Sequence, residues 1–218
     1  MRERARAARE RADKAKARAA ASPATVSATD PDSRIVLRKG GGWIQGYNFQ
    51  LGTLRRQITA YAGIHDSPCD KEALVPGVRG AAANAAAAGI STWDPQTLAD
   101  CGYASAASFH QLADINLLVS VRRETATTGL DDDAPAARAA WQDMATRFTQ
   151  PSAKDTYKQR GALVEPGFAQ FFARFGRTIT RRGTQAADAE IHLLATAFNI
   201  SKLITARQRR PPALPQPA

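Results

Sequence analysis

Strand-type and helix-type stretches alternate along this chain in an order that few architectures accommodate. Ile35-Val36-Leu37 is short and largely β-branched, and Trp43 to Leu51 alternates imperfectly between apolar and polar residues. Gln57 to Ile64 reads as a further strand, with Arg55-Arg56 at the bend before it, so these last two runs predict an antiparallel hairpin. Gly40-Gly41-Gly42 marks a turn. Residues 70–89 predict a helix, interrupted early by Pro76 and Gly77 and then almost all Ala from Ala81 to Ala88. Thr97–Ala99 is a short strand, residues 105–113 a helix with Ser105 as its N-cap, and Ile115 to Val121 a buried strand. Helices over 136–148, 152–175 and 187–206 complete the chain, the last with Ala187, Ile191, Leu194, Phe198 and Leu203 near one face. The order strand, strand, helix, strand, helix, strand, helices is an α/β pattern. It contains no G-x-G-x-x-G fingerprint and no P-loop.

Charge narrows the partners. The 218 residues suffice for one medium domain and carry a formal net charge of +10, which favours a polyanion, with nucleic acid first. The excess is clustered. Residues 2–21 are strong helix formers rich in Arg and Lys but without an apolar stripe, so they predict a solvated basic arm rather than a membrane-surface helix. Arg174, Arg177, Arg181 and Arg182 form a second cluster, and Arg207, Arg209 and Arg210 precede a Pro-rich tail. No apolar run reaches membrane-spanning length, and residues 2–21 contain acids and lack the apolar core of an export signal, so the expectation is a cytoplasmic protein without membrane contact. Cys69 and Cys101 lack zinc-type spacing and are expected to be reduced.

Two carboxylates stand where chemistry is expected. Asp100 closes the strand-like run Thr97-Leu98-Ala99-Asp100, and Glu165 lies in Val164-Glu165-Pro166-Gly167-Phe168-Ala169-Gln170. Metal-assisted phosphoryl transfer needs several hard oxygen ligands converging on one point, which is why Asp and Glu are the residue types to seek. Taken alone, Asp100 before Cys101-Gly102 is also an ordinary turn residue, and Glu165 is also a helix charge. His65, His110 and His192 are scattered and read as structural, Asp66 and Asp70 as a polar turn, and Asp131-Asp132-Asp133 as a solvated loop. Trp43, Trp93 and Trp141 read as packing residues rather than base-stacking ones.

Several stretches carry a family resemblance in a fixed order. Asp30-Pro31-Asp32-Ser33-Arg34 followed by Gln45-Gly46-Tyr47-Asn48-Phe49-Gln50 resembles a paired motif of bacterial insertion-sequence DDE transposases. Leu98-Ala99-Asp100-Cys101-Gly102-Tyr103 is similar to their second-Asp motif. Tyr157 and Arg160, with Val164-Glu165-Pro166, Phe168 and Gln170, resemble their Glu helix, and Ala197-Phe198-Asn199-Ile200-Ser201-Lys202-Leu203 their closing helix. The resemblance implies an RNase H-like mixed sheet with flanking helices and divalent-metal chemistry (Mg²⁺ or Mn²⁺) on double-stranded DNA at transposon ends. It implies Asp100 and Glu165 as catalytic metal ligands and Arg160, Arg174, Arg177, Arg181 and Arg182 as contacts to the DNA backbone. Homo-oligomers, or mixed assemblies with an intact transposase, are the expected partners besides DNA.

The chain also departs from that family. Its first Asp would stand in an Asp-Gly context on a central strand before the Asp30 motif, and no Asp-Gly occurs here. Gly161 and Phe172 stand where the family usually has basic residues. The expectation is therefore a basic arm over 1–28, a catalytic domain over 29–206 that lacks its first strand, and a disordered tail over 207–218. The chain would be a truncated transposase or, as the alternative, an inactive DNA-binding remnant. A general polyanion-binding protein is the third reading, distinguished by binding that is uniform and lost at moderate salt.

Overall fold

The computed structural model describes residues 26–37, 41–54, 57–65, 67, 69–90, 95–121 and 135–209. Residues 1–25 of the basic arm, Gly40, Arg55-Arg56, Asp66, Trp93, the acidic loop with Asp131-Asp132-Asp133 and the tail from Arg210 lie outside the described residues, whereas the helix before the tail runs on to Gln208. Six strands and five α-helices are found within them: β1 (Arg34–Leu37), β2 (Trp43–Gly46), β3 (Asn48–Thr53), β4 (Thr59–His65), α1 (Asp70–Ala87), β5 (Thr97–Ala99), α2 (Ala106–Gln111), β6 (Leu117–Val119), α3 (Pro135–Thr149), α4 (Pro151–Phe175) and α5 (Thr184–Gln208). A 3₁₀ turn at Cys101–Tyr103 follows β5. The fold is mixed α/β; from α1 onward the order of elements matches the sequence pattern, while four strands precede it.

The strands do not form one sheet. They form three pairs: β1 with β2, β3 with β4, and β5 with β6. The run from Trp43 to Leu51, expected as one strand, is two. Trp43–Gly46 pairs antiparallel with Arg34–Leu37, while Asn48–Thr53 pairs antiparallel with Thr59–His65. The strand changes partner at Tyr47, whose hydroxyl donates to Asp30 Oδ2 at 2.6 Å. Alternation of side chains reports that a segment is extended but not which neighbour it pairs with. The pair β5 and β6 is parallel, with α2 between them in sequence.

Two apolar cores flank the centre. One gathers Leu118, Val119, Phe109, Leu112, Trp141 and Met144 from β6, α2 and α3, and the Phe109 and Trp141 rings stack at 5.4 Å. The other gathers Ala62, Phe171, Ile191, Ala195 and Phe198, with Phe49 packed against Phe171 and edge-on to Phe168 and Phe172. In α5, Ala187, Ile191 and Phe198 are buried as the periodicity predicts, but Leu203 is 61% exposed. Five positions beyond Phe198 rotate a helical side chain by roughly 140°, off the buried stripe.

Close packing depends on two positions without side chains. A Cβ at Gly80 of α1 would lie 2.6 Å from the Tyr61 ring of β4, so only glycine lets the helix sit on that ring. A Cβ at Gly167 of α4 would lie 2.8 Å from Thr53 Cγ2, and the Thr53 hydroxyl donates to Leu163 O at 3.3 Å. The outer edge of β4 is closed by α5. Asn199 bonds both the amide and the carbonyl of Thr59, Asp188 accepts from Ile64 N, and His192 Nε2 lies 2.9 Å from Ala62 O. His192 is thus structural, as expected. Among the described residues no helix is long and apolar enough to cross a membrane.

Candidate functional site

The C-terminal end of β5 delivers Asp100 to a polar corner. Its Oδ1 accepts the Gly102 amide at 2.7 Å, so the carboxylate caps the 3₁₀ turn that begins at Cys101. That cap is a local device encoded by the Asp-Cys-Gly spacing, and it leaves the other oxygen without a hydrogen bond among the described residues. Asp70 of α1 arrives at the same place. A side chain built on Gly102 would meet Asp100 Oδ1 at 2.9 Å and Asp70 Oδ2 at 3.6 Å, so glycine leaves the space between two carboxylates open.

Side chains from β3 hold Asp70. Gln50 Nε2 donates to its Oδ1 at 3.0 Å and Asn48 Nδ2 donates to the same oxygen at 3.3 Å. Tyr103 donates to Gln50 Oε1, completing a chain from the 3₁₀ turn through β3 to α1. Burial, then the negative charges of Asp70 and Asp100, push the Tyr103 phenol up to about 12, so it keeps the proton that it donates to Gln50. Asn48, Gln50 and Tyr103 all lie in motifs that the sequence singles out. Asp70 was read as a turn residue, because its partners stand 20 or more positions away.

Arg160 comes to this corner from α4. Its guanidinium stacks on the Tyr157 ring at 5.7 Å, and it lines the same cavity as Asp100 and Tyr103. Its Nε is buried without a hydrogen-bond partner. An arginine held this way differs from an exposed backbone-binding one. Arg174, Arg177, Arg181 and Arg182 are exposed, with Arg177 stacked over Phe172 at 4.6 Å. Lys202, which the sequence reading passed over as a charge, joins the basic surface. Partial burial lowers its pKa first, and the neighbouring charges of Arg174 and Arg209 lower it further.

Glu165 lies on the same helix as Arg160. It is exposed on α4, and its carboxylate turns back along the helix, so that a Cβ at Gly161 would lie 3.4 Å from its Oε1. Arg160 and Glu165 are five positions apart, roughly 140° around the helix, so they address different sides. Among the described residues no group of three His, Cys, Asp or Glu side chains converges to hold a metal. The donor chemistry at Asp100 and Asp70 suits a hard divalent cation, since both offer carboxylate oxygens at one open point.

Asp30 and Asp32 form a separate acidic corner. Asp30 Oδ1 accepts from Gly183 N at 3.1 Å, and Asp32 Oδ2 accepts from Thr184 N at 2.9 Å. These two amides open α5, so the Asp30–Asp32 turn caps a helix more than 150 residues away in sequence. The Tyr47 hydroxyl holds the Asp30 carboxyl below its ordinary range, and the Gly183 amide assists. Burial and Asp30 push the Tyr47 phenol up to about 12.

Comparison with known proteins adds one match. Residues 132–204 fit a family model described as a transposase DDE domain. The match takes in most of α3 to α5, and with them Arg160, Glu165 and the basic cluster, while Asp100 lies before it. It supports a transposase of the DDE type. Neither a curated protein nor a solved structure matches the chain.

Proposed function

We propose that this chain is an insertion-sequence DDE transposase domain of RNase H-like type that binds double-stranded DNA at transposon ends. The observation that carries the reading is the family match over α3 to α5, joined to an aspartate at the end of β5 with one oxygen uncommitted. Asp100 and Glu165 would hold Mg²⁺ or Mn²⁺. When bound, the metal supplies an activated water or hydroxyl and stabilises the leaving oxygen of a phosphodiester. The chain's own residues do the rest. Arg174, Arg177, Arg181 and Arg182 neutralise phosphates along one strand, Lys202 extends that surface, and Arg160 sets the field beside Asp100. Assembly as a homo-oligomer, or with another transposase, and a cytoplasmic location belong to the same proposal.

The test is nicking of a supercoiled plasmid carrying candidate ends, with Mg²⁺ or Mn²⁺ and with chelator. Metal-dependent nicking that disappears in Asp100→Ala, while DNA binding persists, supports the enzyme. Binding without nicking in the unsubstituted chain supports a DNA-binding domain without cleavage. The second reading has its own observation: Glu165 is exposed, and its carboxylate turns back along α4 toward Gly161. Binding of equal strength to heparin and to any duplex, lost at moderate salt, overturns both.

A further inference from the structure

Helix α5 is apolar on two opposite sides. Ala187, Ile191, Ala195 and Phe198 are buried against the core. On the other side Leu193 is 71% exposed, and Ile200 and Ile204 are each 52% exposed. At 3.6 residues per turn, Leu193, Ala197, Ile200 and Ile204 fall within about 60° of one another, opposite the buried stripe. Their spacings of four, three and four are those of the seam of a coiled coil. A helix that faces only water carries charge on its outer side. From Ile191 to Ala206 the single Lys, Arg, Asp or Glu is Lys202, and it lies on the inner side, where its Nζ donates to Gln57 Oε1 at 3.2 Å.

The outer stripe reads the same from both ends. A two-fold axis makes a contact in which residue i meets residue j of the second copy and j meets i. Two α5 helices laid antiparallel, with the axis between positions 198 and 199, set Ala197 against Ile200 of the second copy and Leu193 against Ile204. Small faces large at the centre, and aliphatic side chains meet on either side. The same register sets Glu190, three positions before Leu193, against Arg207, three positions after Ile204. The Glu190 carboxylate is fixed by the amides of Thr180 and Arg181, and Arg207 is exposed. Parallel helices would instead set Glu190 against Glu190 and Arg207 against Arg207, so charge selects the antiparallel arrangement.

We propose that the outer face of α5 is a dimer contact, in which two copies of this chain pair antiparallel through Leu193, Ala197, Ile200 and Ile204, closed at both ends by Glu190 and Arg207. This gives the homo-oligomer of the proposed function a surface and a register, and it stands without DNA cleavage. The contact is apolar, whereas two copies of net charge +10 repel. Salt screens that repulsion, so the dimer tightens as salt rises, opposite to binding of DNA.

Sedimentation equilibrium of the full chain, without DNA and at moderate salt, is the test. A monomer–dimer equilibrium is expected. Ile200→Glu buries a charge on each side of the axis and should weaken the dimer about hundredfold. Arg207→Glu sets like charges together at both ends and should weaken it about tenfold. Both side chains are exposed in one copy, and circular dichroism shows that the variants are folded. Orientation is read by crosslinking. Leu193→Cys and Ile204→Cys are made separately on a background of Cys69→Ser and Cys101→Ser, and treated with a short bismaleimide. The mixture of the two should link, and either protein alone should not, because eleven residues place the two positions about 16 Å apart along the helix. A monomer at every concentration gives the face another occupant and overturns the proposal. So does a dimer that Ile200→Glu leaves unaltered, or linking of Leu193→Cys to itself. Duplex DNA binding is measured on the same samples. A monomer that binds duplex removes this contact alone, and a dimer that binds none removes the DNA reading alone.

Discussion

Two corners of the molecule each hold a pair of aspartates and use them in opposite ways. At Asp30 both oxygens are engaged, by the Tyr47 hydroxyl and the Gly183 amide, and at Asp32 one oxygen accepts the Thr184 amide, so that the pair serves to start α5. At Asp70 and Asp100 one oxygen of each is engaged, by Gln50 and Asn48 or by Gly102, and the remaining space stays open above a glycine. The first corner ties the start of the described chain to the first turn of α5. The second faces a cavity that holds an unpartnered arginine nitrogen. Hydrogen bonding, more than residue type or local sequence, separates a carboxylate that stabilises from one that is free to bind.

The largest expected effect follows from breaking the first corner. Asp30→Ala removes the acceptor for both Tyr47 and Gly183 N, and it leaves the Tyr47 hydroxyl without its partner. The melting temperature is expected to fall further than for any other single change discussed here, as read by circular dichroism. A milder form of the same break is acid. Because the folded Asp30 carboxyl is held below its ordinary value, its contribution is present above the ordinary carboxylate range. It is lost as pH falls through the lowered value. A plot of stability against pH should therefore drop at acidic pH in the unsubstituted chain, and Asp30→Asn should flatten that part of the curve.

Asp32→Ala sharpens the comparison at a smaller scale. Asp32 caps α5 from a distance, and losing a helix N-cap costs about 1 kcal/mol. Urea titration should show a midpoint shift of that order with an unchanged slope. A change near zero would mean that the Asp30 bond to Gly183 alone holds the helix start.

The first corner also shows what sequence can and cannot carry. Ser105 and the long helices are legible because capping and helical periodicity are local. The Asp30–Arg34 stretch is legible as a motif, but its task is not, since its partners Gly183 and Thr184 lie more than 150 positions away. Asp70 was missed for the same reason. Its environment is made by Asn48 and Gln50 of β3 and by Gly102, none of them neighbours in sequence. The place of Asp100 at a strand end is legible because strand, aspartate and glycine are adjacent. The helix that carries Glu165 is legible from its periodicity, whereas the turn of its carboxylate toward Gly161 is not.

The smallest expected effect is the most diagnostic. Asp100→Asn keeps the oxygen that accepts the Gly102 amide, so the 3₁₀ turn retains its cap and stability should change by less than about 0.5 kcal/mol. What the substitution removes is the negative charge at the open point shared with Asp70. If that point binds a divalent cation, Mg²⁺ or Mn²⁺ should raise the melting temperature of the unsubstituted chain and fail to raise that of Asp100→Asn, because a ligand that binds only the folded state stabilises it. Asp32→Asn, which alters a carboxylate already occupied by Thr184 N, should leave the metal-induced rise intact. An equal rise in all three proteins would place the cation elsewhere and remove the distinction between the corners. A rise lost only in Asp100→Asn would locate binding at the carboxylate whose second oxygen the fold leaves unpaired.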